Sequence, residues 1–259
     1  MEASLWQKSS ELAASGKPFC LAVVAESSGS VPRRAGSTML VMSDGSTSGT
    51  VGGGNVERLV RDDALLALRD GQPRLKRYDL DDPQGTGTDS ICGGRITVFF
   101  MPQPARMTLH LFGAGHVARP TAHLAATVGY AVIVYDESDQ YANSRNIPHA
   151  QSFAIGDPVA AARALSFGPR DAVVILTGSH EVDLEIVRAF KGKLPPYLGV
   201  IASEKKAMHF REQLKLDGWS VAEIAAVHAP IGLKISSRTP EEIAVSIVGE
   251  IISLRGPVE

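Results

Sequence analysis

Thr108-Leu109-His110-Leu111-Phe112-Gly113-Ala114-Gly115-His116-Val117-Ala118 is the stretch on which the reading of this chain turns. An apolar run of strand length meets two glycines spaced as G-x-G. Ala118 stands where the third small residue of a dinucleotide fingerprint falls, and an apolar helical pattern follows. Each position has a physical reason: Gly113 permits the tight turn, Gly115 lets backbone approach a phosphate, and Ala118 lets the helix pack close to the sheet. The N–H groups of the new helix then face an anion. A second apolar run, Ala131-Val132-Ile133-Val134-Tyr135, ends in Asp136, about twenty positions beyond the glycines, where such folds accept a ribose hydroxyl. The same turn also fits a Rossmann-like domain that keeps its glycines for packing alone.

Downstream, strand and helix patterns alternate. A short strand over 151–155 precedes a helix over 157–167, a strand over 171–176 leads to a helix after His180, and a strand over 197–202 precedes a helix reaching about 216. This order predicts a doubly wound parallel sheet. Thr239-Pro240-Glu241-Glu242 is a capping box with proline at the first helical position. It opens a last helix whose Ile243, Ile247, Val248 and Ile251 form a core stripe or a dimer surface. Ligands of such sheets sit at the carboxyl ends of the strands. That places Thr177-Gly178-Ser179-His180 near a ligand, with His180 either touching ligand or metal or serving as a capping or surface histidine. His116 falls on the phosphate turn itself.

Upstream, prolines 102 and 104 mark a linker over 102–107, dividing a smaller N-terminal α+β domain (1–101) from the Rossmann-like domain (108–259). The first sixteen residues predict an amphipathic helix with Leu5, Trp6, Leu12 and Ala13 inward, and show no signal-peptide pattern. Phe19 to Val24 reads as a strand, with Cys20 a small buried hydrophobe. The polar loop Glu26 to Gly36 carries Arg33 and Arg34, either a solvated pair or an anion clamp. Asp44-Gly45 marks a hairpin. Gly52-Gly53-Gly54-Asn55 opens a helix over 56–69, giving either exposed N–H groups for an anion, with Asn55 as cap, or a sharp corner. Ile91-Cys92-Gly93-Gly94 follows a polar loop and precedes a strand over 95–101. Small neighbours leave the Cys92 sulfur accessible, or else the cysteine is merely tolerated in a turn.

At 259 residues and 44% hydrophobic the chain can bury a sizeable core, while a net charge of −2 without a basic run argues against nucleic acid. Two cysteines are too few for a disulfide scaffold or a four-cysteine zinc site, and no H-E-x-x-H occurs. A reduced, cytoplasmic setting is expected. No run of about eighteen apolar residues implies a membrane span.

Several motifs in one order resemble the XdhC/CoxI family of molybdenum-enzyme accessory proteins: Gly29-Ser30-Val31-Pro32-Arg33 with Gly36, Gly49-Thr50-Val51-Gly52-Gly53-Gly54, Ile91-Cys92-Gly93-Gly94, Phe112-Gly113-Ala114-Gly115-His116-Val117, and His228-Ala229-Pro230-Ile231-Gly232-Leu233 before Thr239-Pro240-Glu241-Glu242. The resemblance implies a carrier that binds molybdopterin cofactor, supports its sulfuration with a cysteine desulfurase, and passes it to an apo molybdenum hydroxylase of the xanthine dehydrogenase type. By that resemblance Cys92, with Gly93 and Gly94, is the cofactor-contacting thiol and the contact to the molybdenum centre; glycines such as Gly52, Gly53 and Gly54, with Arg33, would admit the pterin phosphate. A homodimer is expected. Where the family shows Thr-His-Asp-His after the fourth Rossmann strand, this chain has Thr177-Gly178-Ser179-His180; where the family is Gly-Ser-Arg-rich after the fifth, it reads Ala202-Ser203-Glu204-Lys205-Lys206. Two other readings remain: an NAD(P)-dependent oxidoreductase using Gly113, Gly115, Ala118 and Asp136, and a nucleotidyl or sulfur transferase acting on the cofactor.

Overall fold

The computed structural model describes residues 2–80 and 94–254, and the chain divides into two compact units, Met1–Arg106 and Met107–Glu259. In the first, α1 (Glu2–Ala14) is followed by β1 (Phe19–Gly29), β2 (Thr38–Met42), β3 (Thr47–Gly49), α2 (Gly54–Asp70), β4 (Arg74–Asp79) and β5 (Gly94–Gln103). The strands form one antiparallel sheet in the order β3-β2-β1-β5-β4.

The unbroken apolar run at 19–24 arises because both faces of β1 are covered. Cys20, Ala22 and Val24 pack with Val56, Val60, Ala64 and Ala67 of α2, whereas Phe19 and Leu21 pack with Leu5 and Leu12 of α1. Cys20 is fully buried, and desolvation pushes its thiol up to about 12. The inward stripe of α1 is narrower than expected. Leu5 and Leu12, two turns apart, reach the sheet, while Trp6 is 55% exposed and Ala13 is also exposed. Asn55 is not the cap of α2. The helix starts two residues earlier, with Gly53 at the N-cap and no side-chain cap, and Asn55 Oδ1 instead accepts from Arg58 Nε at 2.9 Å.

Strand β5 runs through Pro102, which sequence alone assigns to the linker. Its neighbour β4 pairs only as far as Phe100, so beyond that residue one edge of β5 is open and a missing N–H breaks no ladder bond there.

The second unit comprises β6 (Met107–Phe112), α3 (Ala118–Thr127), β7 (Tyr130–Asp136), β8 (Ser152–Ile155), α4 (Pro158–Ala164), β9 (Ala172–Ile175), α5 (His180–Arg188), β10 (Tyr197–Val200), α6 (Glu204–Leu216), α7 (Val221–Ala225), β11 (Val227–His228) and α8 (Pro240–Ser253). All its strand pairs are parallel, in the order β11-β10-β9-β6-β7-β8. The chain starts at β6, winds outward to β8, returns to the other side of β6 as β9, and winds outward again. This is the doubly wound Rossmann order, with its topological switch between β6 and β9.

One face of this sheet packs on α3 and α8, where Ile247, Val248 and Ile251 are core residues. The other face packs on α4, α5 and α6. Helix α4 stops at Ala164 rather than near Phe167, because Lys193 Nζ donates to the carbonyls of Arg163 (2.6 Å) and Leu165 (3.0 Å) and ends the turn there. The short α7 and β11 carry too little periodicity to be read from sequence. Among the described residues no helix is long and apolar enough to cross a membrane.

Candidate functional site

At the carboxyl edge of the parallel sheet, where the topology reverses, a cleft of about 420 Å³ lies between the β6 turn and the ends of β7 and β9. Its floor is the glycine turn. Gly113 takes φ +98°, its N–H donates to the Tyr135 carbonyl at 2.8 Å, and a Cβ on it would lie 2.6 Å from the carbonyl oxygen of Leu176. The three strand ends are thus held together through this one residue.

Asp136 faces the turn. Its Oδ2 accepts from Ala114 N at 2.8 Å and its Oδ1 from Ser138 N at 2.9 Å. Each carboxylate oxygen has a further lone pair, so the group both braces the turn and keeps acceptor capacity toward the cleft it lines. Beside Gly115 the space a Cβ would fill is open, and Ala118 is fully buried against the sheet. Helix α3 begins without a side-chain cap, whereas α4 to α8 are capped by Asp157, Ser179, Ser203, Ser220 and Thr239. Its first turn therefore has no side-chain acceptor for its N–H groups. His116 is exposed and lines an adjacent cavity of about 520 Å³, together with Arg119 and Glu241.

From β9, Thr177 lines the cleft and donates through Oγ1 to Asp183 Oδ1 at 2.5 Å. Asp183 is 4% exposed, and burial pushes its carboxyl up to about 6, opposed by its bonds to Thr177. A carboxyl raised above its unfolded value stabilises the fold fully below about pH 4, and that contribution is lost as pH rises through 6. Relative to Asp183→Asn, the wild type is therefore expected to lose up to about 3 kcal/mol between pH 4 and 7. Denaturant titrations of both proteins at several pH values test this, and a pH-independent difference would rule it out.

His180 lies elsewhere. It opens α5, its ring stands edge-on to Phe210 at 4.5 Å and 5.7 Å from His209, and it is not among the residues lining the cleft. Desolvation, with Lys206 and His209 nearby, holds it below the ordinary histidine value. Ser179, not His180, caps the helix. Gly178 lines the cleft with open space where a Cβ would stand, so the position that is histidine in the family motif leaves room in this chain.

In the first unit, Cys92 and Gly93 lie outside the described residues. Their neighbour Gly94 opens β5 opposite Gly29, and a Cβ on it would meet Ser28 O at 2.6 Å and Val31 Cγ1 at 2.8 Å. Gly52 approaches Pro32 in turn, its Cβ position lying 3.3 Å from Cγ. Three stretches far apart in sequence, 28–33, 52–54 and the residue following Cys92-Gly93, thereby meet at one end of the antiparallel sheet. Arg33 is exposed there, and Gly53 and Gly54 stand at the uncapped start of α2 with open space beside them. Among the described residues no group of three or more His, Cys, Asp or Glu is placed to hold a metal ion.

Sequence reasoning passed over two features of the cleft. The Thr177–Asp183 bond had a signal, an acidic residue one turn into α5 behind a strand-end threonine. Tyr141, in the irregular segment after β7, had none.

The sequence pattern of the XdhC Rossmann domain matches residues 109–251, and that of the XdhC and CoxI family matches residues 12–79. The uncharacterized protein YqeB of Escherichia coli (strain K12) is 35% identical over 97% of this chain, which spans only 46% of that relative. The molybdenum cofactor insertion chaperone PaoD of the same organism is 25% identical, over 93% of this chain and 85% of PaoD. The crystal structure of a xanthine dehydrogenase from Bacillus halodurans shares the fold, with a TM-score of 0.52 at 22% identity, over 95% of this chain and 94% of that one. With a family pattern across more than half its length, and a second one ahead of it, this chain belongs to the XdhC family.

Proposed function

We propose that this chain is an accessory protein that holds molybdenum cofactor and delivers it to an apo molybdenum hydroxylase of the xanthine dehydrogenase type. The observation that carries the reading is membership of the XdhC family, together with alignment over 93% of the chain to a relative named as a molybdenum cofactor insertion chaperone. The residues adjoining Cys92 fit such a ligand. Gly94 lies too close to Ser28–Val31 for any side chain, and the exposed Arg33 and the uncapped amides of α2 can receive a phosphate. Cys92 would supply the soft sulfur contact, with Gly93, Gly94 and Gly52 to Gly54 admitting the pterin. The bound cofactor's redox chemistry belongs to the enzyme that receives it; the chain's own residues bind, orient and shield it. Sulfuration with a cysteine desulfurase, a homodimeric state and a cytoplasmic location belong to the same proposal.

A nucleotide, NAD(P) among the options, is favoured as a second ligand by the glycine turn and by Asp136 on the wall of the cleft. A turnover assay with cofactor and nucleotide separates carriage from an oxidoreductase or a nucleotidyl or sulfur transferase.

Wild type and Cys92→Ala purified from cells making molybdenum cofactor test the main reading through molybdenum and oxidised pterin fluorophore per chain. Loss of the thiol is expected to lower both by roughly tenfold or more, the scale at which ligand-shell changes act. Equal loading would place the contact away from Cys92, and no cofactor on either protein would overturn the carrier reading.

A further inference from the structure

Tyr141 is 60% exposed, yet its backbone is fixed on both sides: its N–H donates to Ser138 O at 3.3 Å and its carbonyl accepts from Asn146 Nδ2 at 3.1 Å. Asn143 and Asn146 also donate to the carbonyls of Asp139 and Gln140, and Ala142 and Ile147 are buried in the core. The segment is therefore rigid, and it holds an aromatic ring out from the surface. Tyr141 lines both the 420 Å³ cleft and the 520 Å³ cavity, which also share Ala114 and Gly115 as walls. Each volume falls within the range of about 300–1,000 Å³ found for small-molecule sites. Asp136 and Glu137 stand side by side on the cleft wall, so one face of the site accepts hydroxyl protons and repels phosphate.

We propose that the two cavities together bind a diphosphate-bearing nucleotide with an unphosphorylated ribose, and that its heteroaromatic ring stacks on Tyr141. The proposal rests on the nucleotide reading of the glycine turn and is independent of cofactor transfer. The ribose hydroxyls donate to Asp136, the diphosphate passes over Gly115 where a Cβ would stand, and the ring lies on the fixed tyrosine. A rigid aromatic face attracts heteroaromatic rings with little entropy lost on binding.

Isothermal titration of the full chain with ADP, GDP, CDP, NAD⁺ and NADP⁺ tests this for wild type, Tyr141→Phe, Tyr141→Leu and Tyr141→Ala, with melting curves confirming that each variant folds. At least one nucleoside diphosphate is expected to bind wild type, and Tyr141→Phe to keep that affinity within about threefold. Tyr141→Leu and Tyr141→Ala are expected to lose roughly tenfold or more. NAD⁺ is expected to bind roughly tenfold more tightly than NADP⁺, because a 2′-phosphate would face two carboxylates. No binding to wild type at millimolar nucleotide, unchanged affinity in the leucine and alanine variants, or equal affinity for NAD⁺ and NADP⁺ would each overturn the proposal. Failure here leaves molybdenum and pterin loading, measured separately, as the test of the carrier reading.

Discussion

Gly113→Ala is expected to destabilise the C-terminal unit by about 3 kcal/mol or more, the sum of two costs that act at one atom. The residue's φ of +98° lies where an L side chain is strained. The added Cβ would also lie 2.6 Å from Leu176 O, 2.8 Å from Leu176 C and 3.0 Å from Thr177 N. These are backbone atoms at the end of β9, and they cannot yield without parting β6 from the strand beside it. Gly115→Ala makes the contrast: it has no positive φ and nothing within 4 Å of its Cβ position, so its stability should stay near wild type. Trp219 is buried in the C-terminal unit and Trp6 is exposed in the N-terminal one, so intrinsic fluorescence on heating follows the unit of interest. A loss of this size lowers its melting point by roughly 6–12 °C. A Gly113→Ala melt within a degree or so of wild type would show that the strand ends do not approach this closely.

The same contrast explains what could be read from the chain before its fold was known. Gly113 and Ala118 were legible because a glycine turn between an apolar strand and a helix has few other uses, and the alternation after it dictates the parallel sheet. The continuous apolar run at 19–24 declared a strand, but that α1 and α2 cover its two faces emerges only in the folded unit. What stayed hidden depends on distances in space. Asp136 was expected to face a ribose; what stayed hidden is that it braces Ala114 N, a bond formed only once β6 and β7 pair. His180 sits at the right place in sequence, but the first turn of α5 directs its ring to Phe210. Tyr141 belongs to a segment whose rigidity comes from asparagine side chains bonding to backbone, and such bonds leave no periodic trace. The convergence of 28–33 with Gly94 follows from β1 pairing with β5, a contact made across a long sequence separation, and Gly52 joins it through its approach to Pro32.

Glu250→Ala is expected to cost about 3–5 kcal/mol, although the residue lies far along the chain from the glycine turn. From the last turn of α8, Glu250 Oε2 accepts from Tyr197 Oη at 2.6 Å and from Gly232 N at 2.9 Å, and Oε1 lies 3.3 Å from His228 Nδ1. Tyr197 is buried, and that burial, with its bond to Glu250, holds its hydroxyl firmly protonated, well above the ordinary tyrosine value. Truncation would strand a buried hydroxyl and a backbone N–H at once. Glu250→Gln can keep its amide oxygen on both Tyr197 Oη and Gly232 N and turn its NH₂ to His228 Nδ1, losing only the charge that strengthens these bonds, so a smaller loss of about 1–2 kcal/mol is expected. The stretch His228-Ala229-Pro230-Ile231-Gly232-Leu233 is thereby tied to α8 at a second point, where Leu233 N donates to Ser246 O at 3.2 Å and Ser246 Oγ donates to Leu233 O at 2.7 Å. Because Pro240 and Glu241 at the start of α8 border the larger cavity, fixing this stretch also fixes one wall of the proposed nucleotide site. Chemical denaturation followed by Trp219 fluorescence separates the cases. A steep loss for alanine with a partial loss for glutamine identifies the motif as an anchor for that wall, whereas equal small losses would mean that Tyr197 and Gly232 find other partners.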